Sequence, residues 1–117
     1  MTGQNGGMTT DKTGAPIDVT AEADRFSISV DGQRAGFTKF IDHDGRRIFP
    51  HTEIDKEFGG RGLATILVRE ALDTTRSAGL RIVPVCPMVV GFVGKHPEYA
   101  DVVDPVTTDV KRLLARG

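Results

Sequence analysis

The sequence predicts an α/β (α+β) fold in which an antiparallel three-stranded meander is followed by helix, strand and helix. Three observations carry this. Two Asp-Gly dipeptides, Asp31-Gly32 and Asp44-Gly45, punctuate a stretch of strand-like patterning, as tight hairpin turns do. The apolar period lengthens to that of a helix immediately after Gly62. A nearly continuous apolar run over 80–85 follows, as in an interior strand covered on both faces.

Taken in order, Phe26, Ile28 and Val30 alternate with Ser27 and Ser29, the signature of a half-buried strand. Residues 35–41 read as its return partner, with Phe37 and Ile41 on the buried side, and 47–54 as the third strand. Leu63, Ile66, Leu67, Glu70, Ala71 and Thr74 recur at helical spacing, and Ala64, Val68 and Leu72 widen the face. Gly79 stands where a helix C-terminus favours glycine. In the strand over 80–85 only Arg81 interrupts the apolar run. Pro87 suits a first helical position, which predicts a second helix to about Lys95. His96-Pro97-Glu98-Tyr99 reads as its exit and 110–116 as a short terminal helix. Residues 1–16 are rich in Gly, Thr, Asn and Asp without apolar period, so a disordered tail is expected there, with Met8 an alternative start. Residues 17–117 are expected to form a single domain.

Composition narrows the function classes. Apolar residues are 38% and charged residues 26% of the 117, the balance of a globular chain. A net charge of -1 argues against binding nucleic acid by broad phosphate neutralisation, although Lys111, Arg112 and Arg116 make one basic spot. The lone cysteine, Cys86, excludes an intramolecular disulfide and favours a reducing compartment. No apolar stretch approaches the ~20 residues a bilayer requires, and no signal-peptide core is present, so a cytoplasmic protein without membrane partners is expected.

The informative stretch is Glu57-Phe58-Gly59-Gly60-Arg61-Gly62-Leu63-Ala64, between a strand and the long helix. Glycine lets a backbone turn its N–H groups toward a ligand. A helix N-terminus adds unpaired donors and about half a positive charge. Together they suit a diphosphate. A mononucleotide loop would need Gly-Lys-Ser or Gly-Lys-Thr, which is absent. A dinucleotide fingerprint would need glycine where Thr65 stands, and a preceding parallel strand rather than a meander. The same glycines would also serve a plain turn.

Gly59 to Ala64 resembles the pyrophosphate loop of GCN5-related N-acetyltransferases, Gln/Arg-x-x-Gly-x-Gly/Ala: Gly62 and Ala64 match, and Gly59 departs from the usual Gln or Arg. His51-Thr52-Glu53-Ile54, Gly60-Arg61-Gly62-Leu63-Ala64, Val83-Pro84-Val85-Cys86-Pro87 and His96-Pro97-Glu98-Tyr99, in that order, resemble a subfamily of short, stand-alone members. The resemblance implies an abbreviated form of that fold. It implies acetyl-CoA as co-substrate, held by Gly59, Gly60, Arg61, Gly62, Leu63 and Ala64, with its pantetheine arm against the backbone of Val83 and Val85. The acceptor it implies is an amine, on a small molecule or a protein lysine.

Acetyl transfer needs an amine stripped of its proton, a donor for the thioester oxygen and a proton for the leaving thiolate. Glu53 is the first candidate base, and His51, two residues earlier on the same strand face, can assist it. Cys86, next to a predicted helix N-terminus, offers a two-step route through an acetyl-cysteine; it reads equally as a packed core thiol. Where many family enzymes carry a protonating tyrosine, this chain has Gly91-Phe92-Val93-Gly94-Lys95, and Tyr99 comes later. No Cys-x-x-Cys or His-x-x-x-His spacing supports a metal. A coenzyme A-ester binding or sensor module with little turnover is the alternative to an acetyltransferase.

Overall fold

The computed structural model describes residues 14–60 and 62–116. Its five strands are β1 (Ile17–Ala21), β2 (Arg25–Val30), β3 (Gln33–His43), β4 (Arg46–Ile54) and β5 (Arg81–Pro84), and its helices are α1 (Leu63–Ser77), α2 (Pro87–Lys95) and α3 (Thr108–Arg116). They form one sheet in chain order, antiparallel from β1 to β4 and parallel between β4 and β5. The expected meander is therefore present with a fourth strand at its front. β1 pairs Ile17 with Val30 and Ala21 with Phe26. Only Ile17 of this short edge strand is buried, so it carries too little alternation to stand out in the sequence.

The two Asp-Gly turns form as expected. Asp31 and Gly32 take φ of 52° and 85°, Asp44 and Gly45 take 56° and 77°, the paired positive values that match a two-residue loop to strand twist. The expected tail is ordered at its end: Pro16 accepts a hydrogen bond from the Asp31 N–H at 2.9 Å, and Ala15 packs on the core. Residues 1–13 lie outside the described residues.

α1 and α2 cover one sheet face, where Phe26, Phe49, Leu67, Leu72, Val89 and Phe92 share a core. α3 covers part of the other face, its Val110 meeting Ile48 and Val83. The buried rib of α1 is Leu63, Leu67, Val68, Ala71, Leu72 and Thr75, which leaves the predicted face members Glu70 and Thr74 exposed. After Ser77, Gly79 adopts φ of 77°; its N–H donates to Arg76 and that of Leu80 to Thr75, closing the helix as the sequence predicts. Among the described residues no helix is long and apolar enough to cross a membrane.

Two features of the sheet position the site. The β3–β4 register shifts by one residue between Lys39↔His51 and Ile41↔Ile48, which puts an extra residue into β4 around Phe49 and Pro50. At the far end of that ladder the strands approach closely: a Cβ on Gly36 would stand 2.3 Å from the Glu53 carbonyl, so only glycine fits.

Candidate active site

The β4–β5 ladder runs from Arg46↔Arg81 to Phe49↔Pro84 and stops. The Phe49 carbonyl closes it by accepting from both the Val85 N–H (3.2 Å) and the Cys86 N–H (3.0 Å). The next β4 residue is Pro50, which has no N–H to continue a ladder. Beyond this point the strands part, and a cleft of about 530 Å³ opens, lined by Pro50, His51, Thr52, Cys86, Pro87 and Met88. The cleft thus begins past Val83, which is paired with Ile48 and fully buried, and the Val85 N–H donates to Phe49.

The extra residue in β4 also changes which side chains face which way. Before it, Ile48 packs toward α3 and Phe49 toward α1 and α2. After it, Thr52 and Ile54 turn to the α1/α2 side, and His51 and Glu53 to the other. His51 Nε2 donates to Glu53 Oε2 at 2.6 Å, with the two side chains 51% and 57% exposed. The Phe37 ring, on the neighbouring strand, lies 5.9 Å from the imidazole.

Cys86 occupies the N-cap position of α2 and is buried. Its Sγ is hydrogen-bonded to Thr52 Oγ1 at 3.2 Å, and Thr52 Oγ1 to Thr38 Oγ1 at 2.8 Å. Cys86 therefore sits on the cleft floor and His51 at the rim. The cleft brings these two together, while the sheet holds Glu53 on the rim side and away from the thiol.

At the start of α1, Phe58 is buried and pins the chain ahead of the glycines. Gly60 and Gly62 take φ of 79° and 77°, left-handed values open to glycine without strain. The Gly59 N–H donates to the Lys56 carbonyl at 3.1 Å, so Gly59 has no free donor. No described residue accepts from the amides of Gly60, Gly62, Leu63 or Ala64. α1 has neither a side-chain cap nor an acidic residue in its first turn, so its positive end stands uncompensated. Arg61 lies outside the described residues.

Tyr99 does not line this cleft. It is 1% exposed, and its hydroxyl donates to Asp73 Oδ1 on the third turn of α1, pinning the segment after α2 to that helix. Burial, reinforced by the Asp73 carboxylate, pushes its pKa up to about 12.

Thr52, Thr38 and Met88 were not singled out by sequence reasoning. Pro50 within a strand was the available signal, because a proline there marks an interrupted ladder and shifts the alternation that follows.

Known proteins share this fold. The profile of the GCN5-related N-acetyl-transferase family matches residues 25–102. Protein NATD1 of Bos taurus is 30% identical over 98 residues, covering 79% of this chain and 87% of that protein. The solution NMR structure of a GCN5-like protein from Staphylococcus aureus superposes with a TM-score of 0.61 at 20% identity, covering 78% of this chain and 91% of that one. The chain belongs to the GCN5-related N-acetyltransferase family and is by class an acyltransferase.

Proposed function

We propose that the protein transfers acetyl from acetyl-CoA to an amine directly, with the His51–Glu53 pair taking the amine proton. The observation that carries this is the end of the β4–β5 ladder at Phe49, which opens a cleft at the N-terminus of α2. α1 follows β4 and α2 follows β5, so both helices start at the C-terminal edge of the parallel pair, and neither has an acidic residue in its first turn. Anionic ligands favour such an edge.

The residues present fit the coenzyme. The amides of Gly60, Gly62, Leu63 and Ala64, which donate to no described residue, suit its diphosphate. Met88, an apolar side chain left 40% exposed, walls the cleft where the arm would cover it. When bound, acetyl-CoA supplies the thioester that is broken. Glu53, through His51 or directly, accepts the proton as the amine nitrogen bonds to the acetyl carbon and the coenzyme sulfur leaves. Thr52 and Cys86 form the floor that orients this end. Burial of the thiol and its bond to Thr52 favour that role for Cys86 over nucleophilic attack, while the rim pair is open to an incoming amine.

The test is release of free coenzyme A from acetyl-CoA across a panel of small amines and lysine peptides. Release that requires an amine is expected. Binding of acetyl-CoA without release on any amine would select a coenzyme A-ester sensor instead. One observation favours that second reading: Tyr99 is tied to Asp73, and α2 turns no hydroxyl side chain toward the cleft.

A further inference from the structure

The sheet face turned away from α1 and α2 is only partly roofed. α3 covers its β4–β5 side and reaches Ile41 of β3. Earlier in β3, Phe37 and Lys39 alternate with Thr38 and Phe40, and these last two are buried toward α1 and α2. Phe37 and Lys39 therefore share the open face with His51 and Glu53.

Register fixes how these four residues meet. Lys39 stands directly opposite His51, and Phe37 opposite Glu53. Lys39 and Glu53 are thus diagonal cross-strand neighbours, a spacing that long side chains can bridge. On the other flank Arg25 is the register partner of Lys39, and its guanidinium lies 4.8 Å from the centre of the Phe37 ring.

The charges around Lys39 are committed to other partners. Glu53 holds His51 at 2.6 Å, Arg25 holds Asp24 at 3.2 Å, and Arg34 holds Glu22 at 3.2 Å. Lys39 is exposed and forms no ion pair with any described residue. An uncommitted ammonium therefore stands one strand away from the pair proposed to take the amine proton.

We infer that the acceptor is a small amine that also carries a carboxylate, its nitrogen at Glu53 and its carboxylate on Lys39, with the carbon chain between them against Phe37. The inference rests on the direct-transfer reading above and adds the chemical class of the acceptor. The face presents one carboxylate and one ammonium on neighbouring strands, the complement of a zwitterion's two charges. A diamine or a basic lysine peptide would instead bring a second cation against Lys39 and Arg25, where like charges select against it.

The test compares kcat/KM, read as coenzyme A release at saturating acetyl-CoA, for glycine, β-alanine and 4-aminobutyrate beside ethylamine, propylamine and butylamine, with 1,4-diaminobutane as the dication. The native chain should prefer at least one amino carboxylate over its matching alkylamine by about fivefold, the scale of one exposed ion pair. That preference should shrink as salt is raised. Lys39→Arg should keep it, Lys39→Met should bring the ratio to about one, and Lys39→Glu should place 1,4-diaminobutane ahead of 4-aminobutyrate. Native rates that do not favour any amino carboxylate, faster turnover of a basic lysine peptide, or a Lys39→Glu change equal for all amines would make Lys39 a merely solvated lysine and overturn the inference, leaving direct transfer intact. Absence of release with every amine overturns both.

Discussion

His51 donates to Glu53 across 2.6 Å on the stretch of β4 that lies just past its extra residue. Without that residue the alternation would turn this pair inward and Thr52 outward. The pair is instead open to solvent beside the cleft, and Thr52 meets the thiol of Cys86. If Glu53 is the proton acceptor, Glu53→Gln should lower kcat by about 10²- to 10⁴-fold. KM for acetyl-CoA and the melting temperature should hardly move, because the side chain is exposed.

Cys86 separates direct transfer from a covalent route. Intact mass of the native chain mixed with acetyl-CoA should remain unchanged. Cys86→Ala should keep most of its turnover and lose about 1–2 kcal/mol of stability from the vacated core position. An acetyl increment on the native chain that is missing from Cys86→Ala would assign the two-step route.

Tyr99 offers a pH test of the clamp between α1 and the segment after α2. Its folded pKa is raised from 10.0 to about 12, so over that interval the folded state keeps a proton that the unfolded state releases. Stability from this group is fully present below about pH 10 and is lost as pH rises toward 12. Thermal melts of the native chain should therefore fall more steeply over that window than those of Tyr99→Phe. At neutral pH the variant should be less stable by about 1–2 kcal/mol, since it leaves Asp73 without its donor. Equal slopes for the two proteins would remove Tyr99 from the role.

Much of the architecture was legible because its signals are local. Asp31-Gly32 and Asp44-Gly45 encode turn geometry in two residues each, Gly79 encodes a helix stop, and Pro87 marks the first residue of α2. β1 was missed because only Ile17 of it is buried. The apolar face of α1 was legible but for its last position, where periodicity alone gave Thr74 the place that Thr75 takes by donating its hydroxyl to the Ala71 carbonyl at 2.7 Å.

The glycine segment lies at the start of α1, and His51 lies on the cleft wall with Glu53 beside it, as their places in the sequence suggest. Which amides are free, and where the gap begins, depend on contacts no local pattern carries: Gly59 with Lys56, and Phe49 with both Val85 and Cys86. The hydroxyl path from Thr38 through Thr52 to Cys86 joins residues up to 48 apart on three elements, beyond any motif.

The central claim is that main-chain amides at the start of α1 hold the coenzyme, and two-dimensional ¹H–¹⁵N spectra recorded during titration with acetyl-CoA address it residue by residue. The largest shifts should fall on Gly60, Gly62, Leu63 and Ala64, with a second set around Cys86 and Met88 along the cleft. Saturable binding that leaves the first set unmoved, or no shift at millimolar ligand, would contradict it.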